Sequence, residues 1–308
     1  MDRHEGTGST DRIGLFDSGV GGLSILRQLQ ERCPNEALRF VYLADTGRCP
    51  YGDRSTNEIN SFVEQIISWF NSAGVSKVVM ACNTSAAVSG IRARELSLNP
   101  IYDLISSAAK YAASNFQRIG VIATSATCKS KAFSKAILEK NPAASVIEIP
   151  CPDLVPLVEQ GLLSGKLVDQ TIAKYTEQLN QFDIDSLIFG CTHFPFLQNA
   201  FAGQLSSGVT YIDPAVHLSN ELFGLSAMAE KKEEQMQKFQ KNTYFCTGDS
   251  EKFADAAELC LKLDAGTLRN SVCSLSVDEL QKLGPKRNQD IKTTAVLKNP
   301  LFSQFASQ

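Results

Sequence analysis

Two short phrases each end an apolar run in a cysteine and then turn polar: Val78-Val79-Met80-Ala81-Cys82-Asn83-Thr84 and Leu187-Ile188-Phe189-Gly190-Cys191-Thr192-His193. Buried parallel strands read as continuous apolar runs, and α/β folds gather ligands at the carboxyl ends of their strands. The two thiols therefore stand at equivalent positions in two α/β units. A cleft between those units would hold one sulfur on each side of a small molecule. That geometry suits removal of a proton from one face of a carbon and its return to the other. A free thiol has a pKa of about 8.5. One sulfur can act as thiolate base while the other stays protonated, provided neighbours set their states apart.

Polar residues near both phrases fit that need. Asp17 closes the first strand and should reach the same sheet edge as Cys82, although a cap on the following turn would also explain it. His193, two residues beyond Cys191, could relay a proton or hold a thiolate, or be a satisfied loop histidine. Glu159 follows the apolar Leu154-Val155-Pro156-Leu157-Val158, where a carboxylate is conspicuous unless it edges a short helix. The turn Gly19-Val20-Gly21-Gly22 offers backbone N–H groups beside a helix N-terminus, which suits a carboxylate as well as a phosphate. Neither GxGxxG nor GxxxxGK[ST] occurs. Ser18, Asn83, Thr84 and Thr192 supply the short neutral groups that an amino acid's two charged ends require. Cys33, Cys128, Cys246, Cys260 and Cys273 read as small buried hydrophobes. With one histidine near the thiols, and asparagine and threonine as poor zinc ligands, no metal is expected.

The elements that must position these residues follow from periodicity. Ile13–Phe16, Phe40–Leu43 and Val78–Ala81 read as strands. Leu23, Leu26, Leu29 and Gln30 recur at helical spacing, and Ser55–Asn71 carries Ile59, Phe62, Val63, Ile66, Ile67 and Phe70 on one side. The pattern restarts with strand Ile119–Ala123, a polar turn Thr124–Cys128, helix Lys129–Glu139 and strand Ser145–Ile149. After the segment Leu154–Gln160 come helix Lys166–Gln181 and strands Ser186–Phe189 and Val209–Ile212. Such alternation predicts an α/β protein with mostly parallel sheets. The second domain is expected over residues 101–213, and a discontinuous first domain over 1–100 and 214–308. The charged stretch Glu230–Gln240 reads as a solvated face, and Thr243–Cys246 as a further strand. The tail from about residue 262 has no assignable role, and Gly284–Asn288 reads as irregular.

A chain of 308 residues can bury two cores. The net charge of −3, with three histidines and no long basic stripe, argues against nucleic acid as a partner. No apolar segment approaches the roughly 20 residues that span a bilayer, so no membrane partner is expected. Met1–Arg12 lacks the apolar core of a secretory signal. Nine cysteines form neither a CxxC pair nor a small-domain disulfide framework. A reducing, cytoplasmic compartment is the expectation.

These phrases, in their order along the chain, resemble the glutamate racemases of bacterial cell-wall synthesis. The matching text is Phe16-Asp17-Ser18-Gly19-Val20-Gly21-Gly22-Leu23, Ala44-Asp45-Thr46, Pro50-Tyr51-Gly52, Ala81-Cys82-Asn83-Thr84 and Gly120-Val121-Ile122-Ala123-Thr124. It continues with Val155-Pro156-Leu157-Val158-Glu159, Gly190-Cys191-Thr192-His193-Phe194-Pro195, Ile212-Asp213-Pro214 and Thr247-Gly248-Asp249. The resemblance implies cofactor-independent interconversion of L- and D-glutamate in a cleft between two pseudo-symmetric α/β domains. It implies that Cys82 acts on the D-enantiomer with Asp17, and Cys191 on the L-enantiomer with His193 and Glu159. Ser18, Pro50, Tyr51, Gly52, Asn83, Thr84, Thr124 and Thr192 map to the substrate shell. The family often forms homodimers.

Three departures stand out. Gly47 replaces a common Ala, Phe194 a frequent Tyr, and Pro100-Ile101-Tyr102-Asp103-Leu104-Ile105 a usual Pro-x-φ-Gly-φ segment, φ being apolar. The rival readings are an aspartate racemase or another two-cysteine dicarboxylate isomerase, and a non-catalytic amino-acid or anion binder. One methylene is worth only about 1–3 kcal/mol in a pocket, so the motifs alone do not separate glutamate from aspartate.

Overall fold

The computed structural model describes residues 12–33, 37–224 and 239–283. Within them the apolar runs form two all-parallel sheets. The first holds β1 (Arg12–Asp17), β2 (Arg39–Ala44), β3 (Lys77–Met80) and β4 (Ile101–Asp103). The second holds β5 (Arg118–Ala123), β6 (Ser145–Pro150), β7 (Ser186–Gly190) and β8 (Thr210–Ile212). The chain then adds β9 (Thr243–Cys246) and β10 (Val272–Ser274) to the first sheet. The strand orders are β10-β9-β2-β1-β3-β4 and β6-β5-β7-β8.

The second order repeats the last four strands of the first, β2-β1-β3-β4, strand for strand. In each sheet the chain moves one way from its opening strand, then crosses to that strand's other side. The resulting switch point leaves a crevice beyond the strand ends, the usual ligand position in such sheets. Asp17 ends β1 and Cys82 follows β3; Thr124 follows β5 and Cys191 follows β7. Pairing of Phe16 with Met80 and of Ala123 with Gly190 brings the two residues of each pair to one edge.

Helices cover both faces of each sheet. Leu23, Leu26 and Leu29 of helix Leu23–Arg32 join Phe253 and Leu261 of helix Ser250–Leu261 in one core of the first unit. Helix Thr56–Ser72 covers the other face with Ile59, Val63, Ile66, Ile67 and Phe70. Its start is fixed by a reciprocal cap between Ser55 and Glu58, an arrangement that satisfies two otherwise orphaned N–H groups. In the second unit, helix Lys166–Gln181 packs with Phe189 and Phe201. Helices Leu104–Asn115 and Ala132–Lys140 pack on the opposite face with Val121 and Ile188.

Several local expectations need correction. Residues 101–103 belong to the first sheet, because Ile101 and Tyr102 pair with Val78 and Val79. The crossing comes at Asp103, whose carboxylate accepts a 2.8 Å bond from the Ser106 N–H and so caps helix Leu104–Asn115. Asp103 also pairs with Arg94. Thr124–Cys128 is not a turn: Thr124 accepts from the Thr127 N–H and starts helix Ser125–Ser130. Lys131, at φ 58°, separates it from the next helix. The segment after residue 262 contributes β10 and helix Val277–Leu283, whose Leu280 is buried in the first unit. The stretch from Glu230 to Lys238, and Gly284–Asn288, lie outside the described residues.

Candidate active site

A cavity of about 110 Å³ lies between the two sheet edges. The residues expected to act on or surround a substrate line it: Asp17, Ser18, Pro50, Tyr51, Gly52, Cys82, Asn83 and Thr84 from the first unit; Thr124, Glu159, Cys191, Thr192 and His193 from the second. Both cysteines are buried and free.

The two thiols occupy matching positions in unlike surroundings. Cys82 is the residue before helix Asn83–Leu96, and its Sγ stands 4.0 Å from Ser18 Oγ. Burial pushes its thiol up to about 12, with the nearby Asp17 carboxylate adding to the rise. Asp17 is itself raised by burial, against the opposing effects of His193 and of the Gly19 and Gly22 N–H groups. The Gly19 N–H donates to Asp17 Oδ1 at 2.7 Å. Asp17 thus braces its own turn, but is not the cap of helix Leu23–Arg32, whose capping position is Gly22.

No long helix follows Cys191; the chain enters a short 3₁₀ turn at Phe194–Leu197. A histidine takes the helix's place as a source of positive charge, with Nδ1 3.7 Å from Cys191 Sγ. Burial alone would depress His193, but Cys191 and Glu159 outweigh it and raise the imidazole to about 10. His193 Nε2 and Glu159 Oε1 are 3.5 Å apart, an ion-pair separation without hydrogen-bond geometry. Glu159 is the last residue of helix Leu154–Glu159 and is half-exposed.

Two buried polar atoms on the cavity residues, Asn83 Oδ1 and His193 Nε2, have no hydrogen-bond partner among the described residues. Buried polar groups are nearly always satisfied, so a polar ligand has places to bind. Thr84 and Thr124 meet across the cleft, Oγ1 to Oγ1 at 3.0 Å. The glycine turn does different work from the anion cradle expected of it, since Gly19–Gly22 do not line the cavity. A Cβ on Gly21 would lie 2.8 Å from His193 Cε1 and against Thr192. Its bare backbone therefore lets the first unit press on the second beside Cys191.

Cys49 and Cys151 also line the cavity and were not singled out from the sequence. Cys151 directly follows β6, so the strand-end rule used for Cys82 and Cys191 points to it as well. Cys49 precedes Pro50 across a cis peptide bond and had no strand-end signal. Burial raises both thiols, Cys49 to about 12. Of the departures, Phe194 is fully buried, so the absent hydroxyl leaves no polar group to satisfy. A Cβ on Gly47 would come within 2.8 Å of the Thr247 carbonyl oxygen.

The chain matches the family model for Asp/Glu/hydantoin racemases over residues 13–221. It is 42% identical over 246 residues to a glutamate racemase of Gloeobacter violaceus, covering 80% of this chain and 90% of that protein. It is 45% identical over 207 residues to one from Trichodesmium erythraeum, covering 67% and 76%. The crystal structure of Francisella tularensis glutamate racemase in complex with D-glutamate superposes with a TM-score of 0.76 at 30% identity. That match covers 87% of this chain and 98% of the other.

Proposed function

The chain belongs to the Asp/Glu/hydantoin racemase family, and from that footing we propose that it interconverts L- and D-glutamate by a proton transfer between Cys82 and Cys191. The observation that carries the reading is the pair of strand-end thiols in one cavity, with oppositely charged neighbours. D-glutamate for peptidoglycan is the product's usual destination in this family.

The chemistry follows from the charges. His193 keeps its proton up to about pH 10, which places a positive charge beside Cys191. A thiolate there takes the α-proton from L-glutamate. Cys82, held protonated by burial and by Asp17, delivers a proton to the opposite face. The reverse reaction starts with Cys82 as thiolate, and Asp17 is the nearby group able to take the proton. Asn83 Oδ1 suits the substrate ammonium, and the hydroxyls of Ser18, Thr84, Thr124 and Thr192 suit its carboxylates. Pro50, Tyr51 and Gly52 form the wall beside them.

The reading divides the chain at Asp103 and again at Asp213, with residues between them forming the second domain. It includes a homodimer and a reducing, cytoplasmic compartment; no described helix is long and apolar enough to cross a membrane. Glutamate is chosen over aspartate because the relatives matched over most of their length are glutamate racemases. The test is incubation of chelator-treated protein with L-glutamate in D₂O under reducing conditions. D-glutamate deuterated at the α-carbon is expected. Folded protein that gives neither exchange nor D-product, or that prefers aspartate tenfold in kcat/KM, would overturn the reading.

A further inference from the structure

The phrase Thr247-Gly248-Asp249 has no place in the cavity. Asp249 has a local use, capping helix Ser250–Leu261 through the Glu251 and Lys252 N–H groups. Thr247 and Gly248 face elsewhere, onto the turn that leads to Cys49.

Four hydrogen bonds fasten these two segments. The Thr247 N–H donates to the Ala44 carbonyl at 3.0 Å, and the Gly47 N–H to Thr247 Oγ1 at 2.9 Å. The Gly248 N–H donates to Thr46 Oγ1 at 3.0 Å, and the Thr247 hydroxyl to Asp45 Oδ1 at 2.8 Å. Glycine is required on both sides of the joint. A Cβ on Gly248 would lie 2.7 Å from Thr46 Oγ1, just as one on Gly47 would strike Thr247.

Asp45 is where this joint reaches the cavity. Its carboxylate is fully buried and receives three side chains. Besides Thr247, they are Arg48, whose Nε donates at 2.7 Å, and Tyr51, whose hydroxyl donates to Oδ2. Arg48 and Tyr51 flank Cys49 and Pro50, so one carboxylate holds both sides of the dipeptide that forms the cavity wall. Phe62 backs the arrangement, with the Arg48 guanidinium 4.3 Å from its ring centroid and the Tyr51 ring 5.5 Å away. Gln65 accepts from Arg48 Nη1 at 2.6 Å. At the wall's far end, a Cβ on Gly52 would lie 3.3 Å from Thr124 Cβ of the second unit. The wall's position therefore sets the width of the cleft.

We propose that Thr247, acting through Asp45 and Arg48, is a positioning residue for the Cys49–Gly52 wall and so tunes substrate binding from outside the cavity. The inference rests on the racemase reading of that cavity. Hydrogen bonds to a buried charge are stronger than neutral ones, and removing a donor leaves the charge under-satisfied. Thr247→Val keeps the side-chain shape but removes both the donor to Asp45 and the acceptor for the Gly47 N–H; Thr247→Ser keeps both.

Full-length Thr247→Val is expected to raise KM for glutamate about tenfold, with kcat within about threefold of the parent enzyme. Thr247→Ser should restore KM to within about twofold, because the same hydroxyl reaches Asp45. A lowered Tm with unchanged KM in Thr247→Val would overturn the proposal, as would equal KM values for the two variants or a loss confined to kcat. Asp45→Asn removes the buried guanidinium's counter-charge and endangers the fold, so the Thr247 pair carries the test. A second readout needs no turnover: alkylation of Cys49 by iodoacetamide, followed by peptide mass spectrometry. Thr247→Val should accelerate it and Thr247→Ser should not; identical rates in all three proteins would contradict the proposal. A parent enzyme that leaves glutamate unchanged would instead defeat the functional reading, with the alkylation result still deciding whether Thr247 positions the wall.

Discussion

The Cys82 side and the Cys191 side of the cavity share a strand order and a strand-end thiol, yet their electrostatics differ in sign. Cys82 stands at a helix N-terminus, whose partial positive charge favours a thiolate. Burial, with the Asp17 carboxylate, overrides it, and the thiol rises to about 12. Cys191 is followed by a 3₁₀ turn and has a charged imidazole 3.7 Å away. Repeating a βαβ unit thus supplies two sulfurs to one cavity, while a few side chains give them unlike surroundings.

Breaking either thiol should have the largest effect. Cys82→Ser and Cys191→Ser are each expected to lower racemisation by about 10³-fold or more, since a hydroxyl cannot supply the anion. Assays of both directions with folded protein check this, and near-parental turnover by either variant would end the two-thiol account.

His193→Asn should lower L-to-D kcat by about 10²-fold by removing the cation beside Cys191. It also tests the pH dependence. His193 is raised to about 10, so its charge is present below that pH and lost above it. Cys82 keeps its proton to about 12, and cannot explain a loss near 10. L-to-D turnover should therefore fall as pH rises through about 10 in the parent enzyme, and fall more steeply than in His193→Asn, where only the substrate's own ammonium is lost in that range.

Asp17→Asn should cost less, about tenfold in D-to-L kcat. An amide oxygen can still accept from Gly19, so the turn survives and only the proton-accepting charge is lost. Glu159→Gln should change either direction about two- to threefold, because its half-exposed carboxylate is screened by solvent. Cys128→Ser should leave both directions unchanged: Cys128 is buried in the second unit's core and does not line the cavity.

The sequence placed the cavity-lining side chains more fully than it placed the local backbone. Cys82, Cys191 and Asp17 were legible because continuous apolar strands advertise their ends, and ligand sites gather there. Cys49 and the Asp45–Arg48 pair were not, because their environment is made by Thr247 and Phe62, distant in the chain. The helix at Ser125–Ser130 was hidden by polar residues that read as a turn, until Thr124 is recognised as its cap. β10 is three residues long and is defined by pairing with β9, which no periodicity announces. The glycine turn misled for a related reason. A chain of glycines signals close approach, and here the approaching partner is the second unit, not an anion.

The central claim, that each sulfur serves one face of the α-carbon, is tested most directly by uncoupling the two proton transfers. β-Chloroglutamate loses chloride once its α-proton is taken, so this half-reaction needs only the base facing that proton. Cys82→Ser should still eliminate chloride from the L-analogue through Cys191, and Cys191→Ser from the D-analogue through Cys82. Each variant should be inactive on the opposite enantiomer. The reverse pattern, or loss of elimination from both enantiomers in either folded variant, would contradict the assignment.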